Sequence, residues 1–451
     1  MAPSPTIMQA VEQLGYRVTV GDVATQAGLN VAEANQSLLA LASDAGGHLQ
    51  VADSGDIVFL FPQNFRAILR NKYFRLRLQE WWKKVWSVLF YLIRISFGIF
   101  LTVSIALIAV TIFTIVTAAN SDRDGGNRGN NSGGGGFFYF PNLFWYLSPN
   151  YDTHYQERQP ESREQSNLNF FEAIFSFLFG DGNPNANLEE RRWQEIATVI
   201  QINRGAVVAE QIAPYLDDIG EGYTREYEDY MLPVLTRFNG QPSVSPEGQI
   251  VYYFPELQVS AVKKRRYAIS DRLEEFPWRF SAASSGQIML SAGLGVLNFV
   301  GALVLGSLLR DGTVAAQLGG LVAFVQGIYW LLLAYGAGFL GIPLLRYFWI
   351  RWRNRKIGDR NRDRLSRARL LASPDAPLQQ KINYAQQFAT EKIIGNEDLV
   401  YSSETDLLDQ EVERSAQIDA EWQRRFVGGC GELGAVGPWG RGAGGTRGQG
   451  K

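Results

Sequence analysis

An uncharged stretch at residues 95–119 constrains this chain more than any other feature. It reads ISFGIFLTVSIALIAVTIFTIVTAA. As an α-helix it is about 37 Å long, enough to cross a hydrocarbon core of about 30 Å with some tilt. A helix in a soluble core needs neither that length nor apolar side chains on every face. The sequence therefore predicts an integral membrane protein.

Two further uncharged stretches, residues 286–309 and 314–345, are separated by one short polar turn. This spacing predicts a transmembrane hairpin over residues 286–345 whose outer ends share one side of the membrane. Small residues four apart permit close approach of another helix. We expect helix packing at two such pairs, which are Ala334 with Gly338 and Ala337 with Gly341.

Residues 1–65 predict a small domain of the winged-helix type. Asn30 is placed to cap its third helix by accepting a hydrogen bond from the first turn. Alternating apolar strands flank a tight turn at 53–55, as in a wing. The expected elements are helices at 7–14, 20–26 and 31–43 and strands at 49–51 and 56–61.

Residues 188–260 repeat this pattern, and the duplication is the most informative internal feature of the chain. The wing of the first domain, GDIVFLFP, matches GQIVYYFP in the second. The predicted fold class is an α+β membrane protein with two winged-helix-like domains, each tethered to transmembrane α-helices. The expected elements of the repeat are helices at 193–202, 206–215 and 226–238 and a strand at 249–254.

Winged helices usually suggest DNA binding, but the third helices lack the necessary charge. Residues 31–43 read VAEANQSLLALAS, with Glu33 and no lysine or arginine. The third helix of the repeat carries Glu226, Glu228 and Asp229. Lysine and arginine supply most of the affinity for phosphates. Both helices therefore favour protein contact over DNA reading.

Basic residues gather where each domain meets a membrane segment, in residues 66–94 and 261–285. Apolar residues are interleaved with the first group, which predicts an amphipathic helix among anionic lipid headgroups. Plain positive-inside flanking and attraction of ribosomal RNA are the alternatives. The candidate membrane-surface or partner contacts are Arg66, Arg70, Lys72, Arg75, Arg77, Trp81, Trp82, Lys83, Lys84, Lys263, Lys264, Arg265 and Arg266.

The remaining segments are connections and tails. Residues 120–187 predict a glycine-rich linker with aromatic interfacial segments at 137–147 and 170–179, with burial in the protein's own core as the alternative. Residues 346–426 predict a basic and then acidic helical tail. Residues 427–451 predict a disordered glycine-rich tail.

The distribution of basic residues and the number of predicted crossings disagree about the side of the membrane on which each segment lies. The first residues lack a signal peptide, so we expect a cytoplasmic N-terminus. The basic residues before 95, before 286 and after 345 all favour that side, which three crossings cannot provide. Either residues 137–151 or residues 170–179 cross the membrane, or one domain lies on the far side.

The chain is poor in residues that carry catalysis or hold metals. It has one cysteine, Cys430, and two histidines, His48 and His154, far apart. Protein-held zinc and iron–sulfur centres need several such ligands. No nucleophile, phosphate-loop or metalloprotease motif occurs. We therefore expect that the chain is not an enzyme, has no catalytic residue, and binds no cofactor and no metal.

Four stretches carry a resemblance: YRVTVGDVATQAGLNVAEANQSLLALASDAGG, YLIRISFG, NFFEAIFSFLFGDGNPN and GAVVAEQIAPYLD. They resemble a membrane-protein family of cyanobacteria and chloroplasts, over roughly residues 6–369. Its plant members often carry the label "iron-sulphur cluster biosynthesis family protein". The resemblance implies a multi-pass protein in the thylakoid or plasma membrane of a cyanobacterium. It implies no catalytic residues.

These observations favour a non-enzymatic membrane scaffold or assembly factor in an oxygenic phototroph. Its winged helices would contact other membrane proteins or assembly factors, in the biogenesis of photosynthetic membrane complexes. One alternative is a membrane-tethered nucleic-acid-binding protein that uses its basic segments. Another is an indirect helper in iron–sulfur cluster biogenesis, because the chain has too few ligands to hold a cluster itself.

Overall fold

The computed structural model describes residues 4–72, 74–121, 168–261, 270–310 and 313–410, together with positions 412, 415, 419, 422 and 423. It is a mixed helix–strand structure in which a folded region sits at one end of a bundle of long apolar helices. We call residues 4–72 unit 1, residues 188–260 unit 2 and residues 376–410 the arm.

The two units share an order of helices and short strands, and long helices follow each of them. The helices are α1 (Pro5–Gln13), α2 (Val20–Ala27), α3 (Val31–Ala45), α4 (Phe65–Lys72), α5 (Phe74–Ser121), α6 (Phe170–Phe179), α7 (Leu188–Ile202), α8 (Ala209–Ile212), α9 (Tyr223–Glu226), α10 (Leu232–Phe238), α11 (Pro255–Gln258), α12 (Ser285–Leu308), α13 (Thr313–Leu318), α14 (Gly320–Ala372) and α15 (Ala376–Ala385). The strands are β1 (Arg17–Thr19), β2 (His48–Ala52), β3 (Ile57–Leu60), β4 (Ala206–Val207), β5 (Gln241–Val244), β6 (Ile250–Tyr253), β7 (Val259–Ser260), β8 (Lys392–Ile393) and β9 (Leu399–Ser402).

Local sequence signals explain the helices of unit 1. Thr19 and Asp22 form a reciprocal capping box at the start of α2, with each backbone N–H donating to the other side chain at 3.1 Å. Asn30 caps α3 as predicted, accepting from the Ala32 N–H at 2.8 Å. Gly28 ends α2 at a φ of 64°, which glycine adopts without strain. The expected helices and strands all occur within two residues of their expected ends.

Unit 2 repeats the strand arrangement of unit 1. In both units the first strand pairs with the last, and the middle strand lies on the other side of it, in the orders β1-β3-β2 and β4-β6-β5. Its helices differ from the expectation. The predicted helix at 206–215 begins as strand β4, and the predicted helix at 226–238 is reduced to α10 after a 3₁₀ turn at Asp229–Met231.

The two units pack directly on each other through the turn between α2 and α3. Arg237 of unit 2 donates to the Gly28 carbonyl at 2.6 Å. Val31 and Ala34, in the first turn of α3, are buried in one apolar cluster with Val234. The first turns of α3 therefore face unit 2. A recognition helix places these turns in the DNA major groove, so the packing leaves them unavailable for that role.

Within the described residues, three helices are long and apolar enough to cross a membrane: α5 over Trp81–Ala119, α12 and α14. Helices α5 and α12 run parallel. The Ser104 hydroxyl donates to Asn298 Oδ1 at 2.8 Å, and one turn further a Cβ on Gly301 would lie 3.0 Å from Ile108. Residue numbers therefore increase in the same direction along the two helices.

Helix α14 runs antiparallel to α12. A Cβ on Gly295 would lie 2.5 Å from the Phe339 ring, and a Cβ on Gly306 would lie 2.1 Å from the Tyr329 hydroxyl oxygen. Glycine at these positions lets the two helices approach closely, and the ring of the partner helix fills the space of the absent side chain. The predicted apolar hairpin is thus present as α12 and α14.

The expected division of residues 66–119 differs from the structure. We predicted an interfacial helix at 66–94 followed by a crossing at 95–119. Instead, α5 is one helix from Phe74 to Ser121, because its apolar surface extends back beyond residue 95. Helix α4 belongs to unit 1, since Phe65 and Leu69 are fully buried in the core of that unit.

Arg94 and Arg346 lie at the same end of the bundle, which we call the near end. The short helix α6 packs against the bundle at this end. Gln287 Nε2, in the first turn of α12, donates to the Leu168 carbonyl just before α6. Just after α6, Asp181 binds Arg94. Both ends of α6 therefore lie at the near end, and residues 170–179 do not cross the bundle. The other predicted crossing, 137–151, lies outside the described residues, as does the aromatic segment at 137–147.

The arm joins the two units. Helix α15 packs against β6 of unit 2, β8 pairs in parallel with β7, and β9 pairs with β2 as the fourth strand of the unit 1 sheet. We predicted a helical acidic tail here. The structure shows strands at Lys392–Ile393 and Leu399–Ser402, because backbone groups of β2 and β7 offer hydrogen-bond partners to this segment.

Candidate functional site: the junction between the bundle and the folded region

The predicted basic contacts are distributed over two different environments. Arg66 and Arg70 lie on the exposed face of α4, where Arg66 pairs with Glu12. Lys83 and Lys84 are exposed on α5 beside Trp81 and Trp82, whose side chains are 57% and 58% exposed. The side chains of Lys72, Arg75 and Arg77, and residues Lys263, Lys264, Arg265 and Arg266, lie outside the described part.

The predicted small-residue pairs are not used for packing within the described chain. Ala334 and Ala337 are exposed, and a Cβ on Gly338 or Gly341 would meet no described atom within 4 Å. The described close contacts instead use glycines on other helix faces, such as Gly98, where a Cβ would lie 2.5 Å from the Phe171 ring. Close packing of another helix against the predicted pairs therefore stays a prediction.

A polar cluster closes the near end of the bundle. Arg94 of α5 binds Asp181 at 3.0 Å, and Asp181 accepts from the Ser176 hydroxyl at 2.6 Å. Arg346 of α14 donates to the Phe177 carbonyl at 2.9 Å, near the carboxyl end of α6. A cation at that end of a helix complements the helix dipole. The cluster ties α5, α6 and α14 together where they leave the bundle.

Helix α14 continues past this cluster and enters the folded region, where a buried ion network holds it. Arg364 is 1% exposed and donates to Glu275 Oε1 at 2.8 Å. It also binds Asp217 of unit 2. Arg360, one turn earlier, donates to the same Glu275 carboxylate at 2.8 Å. Buried charges are tolerated when they are paired in this way.

The electrostatics of two glutamates reflect this burial. Burial by itself raises the pKa of Glu275, but hydrogen bonds and charge from Arg360 and Arg364 outweigh it and hold that pKa below its usual value. Burial raises the pKa of Glu195 on α7, against the charges of Arg191 and Arg364. Glu275 is therefore held ionised at neutral pH, as the bridge between α14 and the connector that precedes α12.

A second set of polar contacts holds unit 1 to β7 and its following residue, and holds the arm to unit 2. The carboxylate of Asp22 accepts from the Ser260 hydroxyl at 2.7 Å and from the Ala261 N–H at 2.9 Å. Burial raises the pKa of Asp22 in spite of these hydrogen bonds. On unit 2, the buried Lys381 of α15 binds Glu210 at 2.9 Å. These contacts fix both units and the arm as one assembly.

The described residues contain no group of three histidine, cysteine, aspartate or glutamate residues that would hold a metal ion. Cys430 and His154 lie outside the described part, and His48 lies on β2. Sequence reasoning missed Asp181, Glu275 and Arg364. We interpreted the arginines after residue 345 only as positive-inside flanking, and nothing in their spacing identified distant carboxylates as partners.

Comparison with known proteins identifies a relative. The chain is 39% identical over 434 residues to the Arabidopsis thaliana protein described as "Uncharacterized protein At5g03900, chloroplastic". The match covers 93% of this chain and 81% of the Arabidopsis protein. No family model matches the chain, and no solved structure matches it. A chloroplastic homologue together with three long apolar helices fits a thylakoid membrane protein.

Proposed function

The chain belongs to the plant and chloroplast family of this Arabidopsis protein, and from this premise we propose that it is a non-enzymatic membrane scaffold or assembly factor. Its place would be the thylakoid membrane, where it would hold other membrane proteins during the assembly of photosynthetic complexes. The continuous helix α14 is the observation that carries the proposal. A protein that positions clients relative to a bilayer needs a rigid link between its membrane part and its folded part.

The rigidity follows from the contacts of α14. Its apolar half packs against α12, and its basic half carries the buried Arg364 between Glu275 and Asp217. Moving the folded region relative to the bundle requires breaking this network, which leaves uncompensated buried charge. The folded region is thereby held at a set distance and orientation from the near end.

We further propose that unit 1, unit 2 and the arm lie on the same, cytoplasmic or stromal, side. All three pack together at the near end, which supports one side for the basic segments. Helix α5 ends at Ser121 at the far end, whereas the chain re-enters the described part at Leu168 at the near end.

Each unit would act as a winged helix used for protein contact. The helix and strand order of unit 1, with a two-stranded wing, supports this interpretation. The first turns of α3 face unit 2, but Leu39 on the outer face of α3 is 45% exposed and Ile57 on the wing is 43% exposed. Exposed apolar side chains suit a protein partner better than they suit a phosphate backbone.

One observation favours the second candidate, a membrane-tethered nucleic-acid binder. Lys83 and Lys84 on α5 are exposed, as are Arg351 and Arg355 on α14, so cations face solvent near the folded region. Such a surface attracts nucleic acid without reading its sequence, and the binding falls steeply with salt.

A pull-down of the tagged full-length chain from mildly solubilised thylakoid membranes separates the two functions. It compares wild type with Lys83→Gln/Lys84→Gln at low and high salt, and identifies every co-eluting protein and nucleic acid. The scaffold proposal expects subunits of a defined membrane complex in a constant ratio to the bait in all four samples. Recovery of nucleic acid alone, lost at high salt and in the double variant, would overturn it.

A further inference from the structure

A cavity of about 270 Å³ lies beside α14, between the connector that precedes α12 and the segment that precedes α7. Its lining includes three side chains with polar groups at the mouth of the junction, Asn183, Arg353 and Arg360, and the ring of Trp278. The cavity is large enough for a phosphate group with a few attached atoms. Its occupant has to match the charge that the lining leaves uncompensated.

The acidic residues of the lining are already paired. Glu275 is bound by Arg360 and Arg364, and Asp217 is bound by Arg364 and Arg192. Both carboxylates of the lining are thus neutralised by arginines, and the charge of the lining that has no counter-ion among the described residues is that of Arg353. This remaining charge is positive, which favours an anion as occupant.

Arg353 is the arginine of the lining that takes part in none of these ion pairs. Among the described residues no ion pair includes it, and its guanidinium lies 5.8 Å from the centre of the Trp278 ring and 5.7 Å from that of Trp349. Cation–π contacts with the two rings orient the guanidinium without using its N–H donors. The planar N–H fork of arginine matches the oxygens of a phosphate.

The Arg353 end of the cavity lies at the expected depth of lipid headgroups. Arg353 follows the exposed Trp349 by four residues of continuous helix, or about 6 Å. Headgroup layers begin at the edge of the hydrocarbon core and are about 5–8 Å thick on each side. Trp349 and Trp352, 43% and 52% exposed, flank Arg353 as interfacial tryptophans do.

We propose that this cavity binds the phosphate diester of an anionic lipid headgroup, with Arg353 as its main contact. The Asn183 side-chain amide, whose Oδ1 accepts from the Asn185 N–H at 3.0 Å, directs its remaining donor capacity to the same phosphate. The inference deepens the proposed function, on which it rests for the placement of the near end at the membrane surface. A bound lipid would fill the gap between α14 and unit 2 and lock the scaffold to the bilayer surface.

The test uses the full-length chain in nanodiscs of phosphatidylcholine with or without phosphatidylglycerol. Native mass spectrometry after mild delipidation counts the retained phosphatidylglycerol. Wild type is expected to retain a single bound molecule, and Arg353→Gln to lower its affinity about tenfold or more. Arg351→Gln, an exposed position two residues away on the same helix that does not line the cavity, is the matched control and is expected to behave as wild type.

Three results would overturn the inference. They are undiminished retention in Arg353→Gln, an equal loss in Arg351→Gln, and displacement of the lipid by inorganic phosphate at equal concentration, which would assign the site to free phosphate. The pull-down described above, repeated with Arg353→Gln, keeps the two proposals apart. Loss of lipid retention with full recovery of the client complex leaves the scaffold function standing.

Discussion

Replacing Arg364 by methionine tests whether α14 fastens the folded region to the bundle. The side chain is 1% exposed and Glu275 is 4% exposed, so the variant leaves a buried carboxylate without one of its partners. Breaking a buried ion pair in this way costs about 3–5 kcal/mol. Glu275 keeps Arg360, and Asp217 is 46% exposed, so we expect the lower end, about 3 kcal/mol.

Hydrogen exchange of the full-length chain in detergent micelles measures this loss locally. A decrease of about 3 kcal/mol in opening free energy accelerates exchange roughly 100-fold. We expect that acceleration in peptides covering residues 353–372, while peptides of α12 keep their rates. The matched control is Arg362→Met on the same helix, which is 77% exposed and has only an exposed contact with Asp359 at 3.4 Å. It should change exchange by no more than about fivefold.

Two outcomes would refute the reasoning about this junction. In the first, Arg364→Met leaves residues 353–372 protected, which would mean that the network adds nothing to the docking of α14. In the second, Arg362→Met has an equal effect, which would mean that any loss of positive charge loosens the helix.

Three further perturbations follow from the contacts. The folded-state pKa of Glu275 lies below its ordinary value of 4.5, so ionised Glu275 stabilises the fold fully above that value, and this stabilisation is lost as the pH falls through the folded pKa. Hydrogen exchange between pH 3 and 6, a range that brackets 4.5, should show this dependence in wild type and not in Glu275→Gln. Gly98→Val should lower the free energy of unfolding by about 1–3 kcal/mol, measured by thermal denaturation in micelles, because its side chain would strike Phe171, whereas Gly338→Ala should stay within about 0.5 kcal/mol. Asp22→Ala should lower the free energy of unfolding by about 2 kcal/mol or more, measured by denaturant titration, because it removes the buried carboxylate that accepts from the Ala261 and Thr19 N–H groups; an unchanged midpoint would contradict this fastening.

The predictions that came closest were those governed by short-range signals. The cap at Asn30, the wing turn at 53–55 and the helices of unit 1 depend on residues within a few positions of each other, so the sequence specified them directly. The apolar helices α12 and α14 followed equally well, because length and hydropathy are local properties. In unit 2 the sequence predicted only the strand at 249–254, which occurs as β6, while β4 and β5 and the shared strand order emerged from the structure.

The predictions that failed placed segments by their composition. Residues 66–94 have the composition of an interfacial helix, yet α4 turns its apolar face into the core of unit 1 and α5 continues unbroken. Residues 391–402 have an acidic, helix-like pattern, yet they form strands because β2 and β7 present unpaired backbone groups to them. In both cases a partner element distant in sequence determined the outcome.

The sequence by itself therefore determined the helices that are long and apolar enough to cross a membrane and the local elements of unit 1. Only the tertiary structure brought Arg364 to Glu275, 89 residues earlier, and Asp22 to Ser260, 238 residues later. Charge pairs and hydrogen bonds between such distant positions leave no periodic trace in a sequence. They depend on the relative placement of whole elements, which is set by the summed burial of apolar faces.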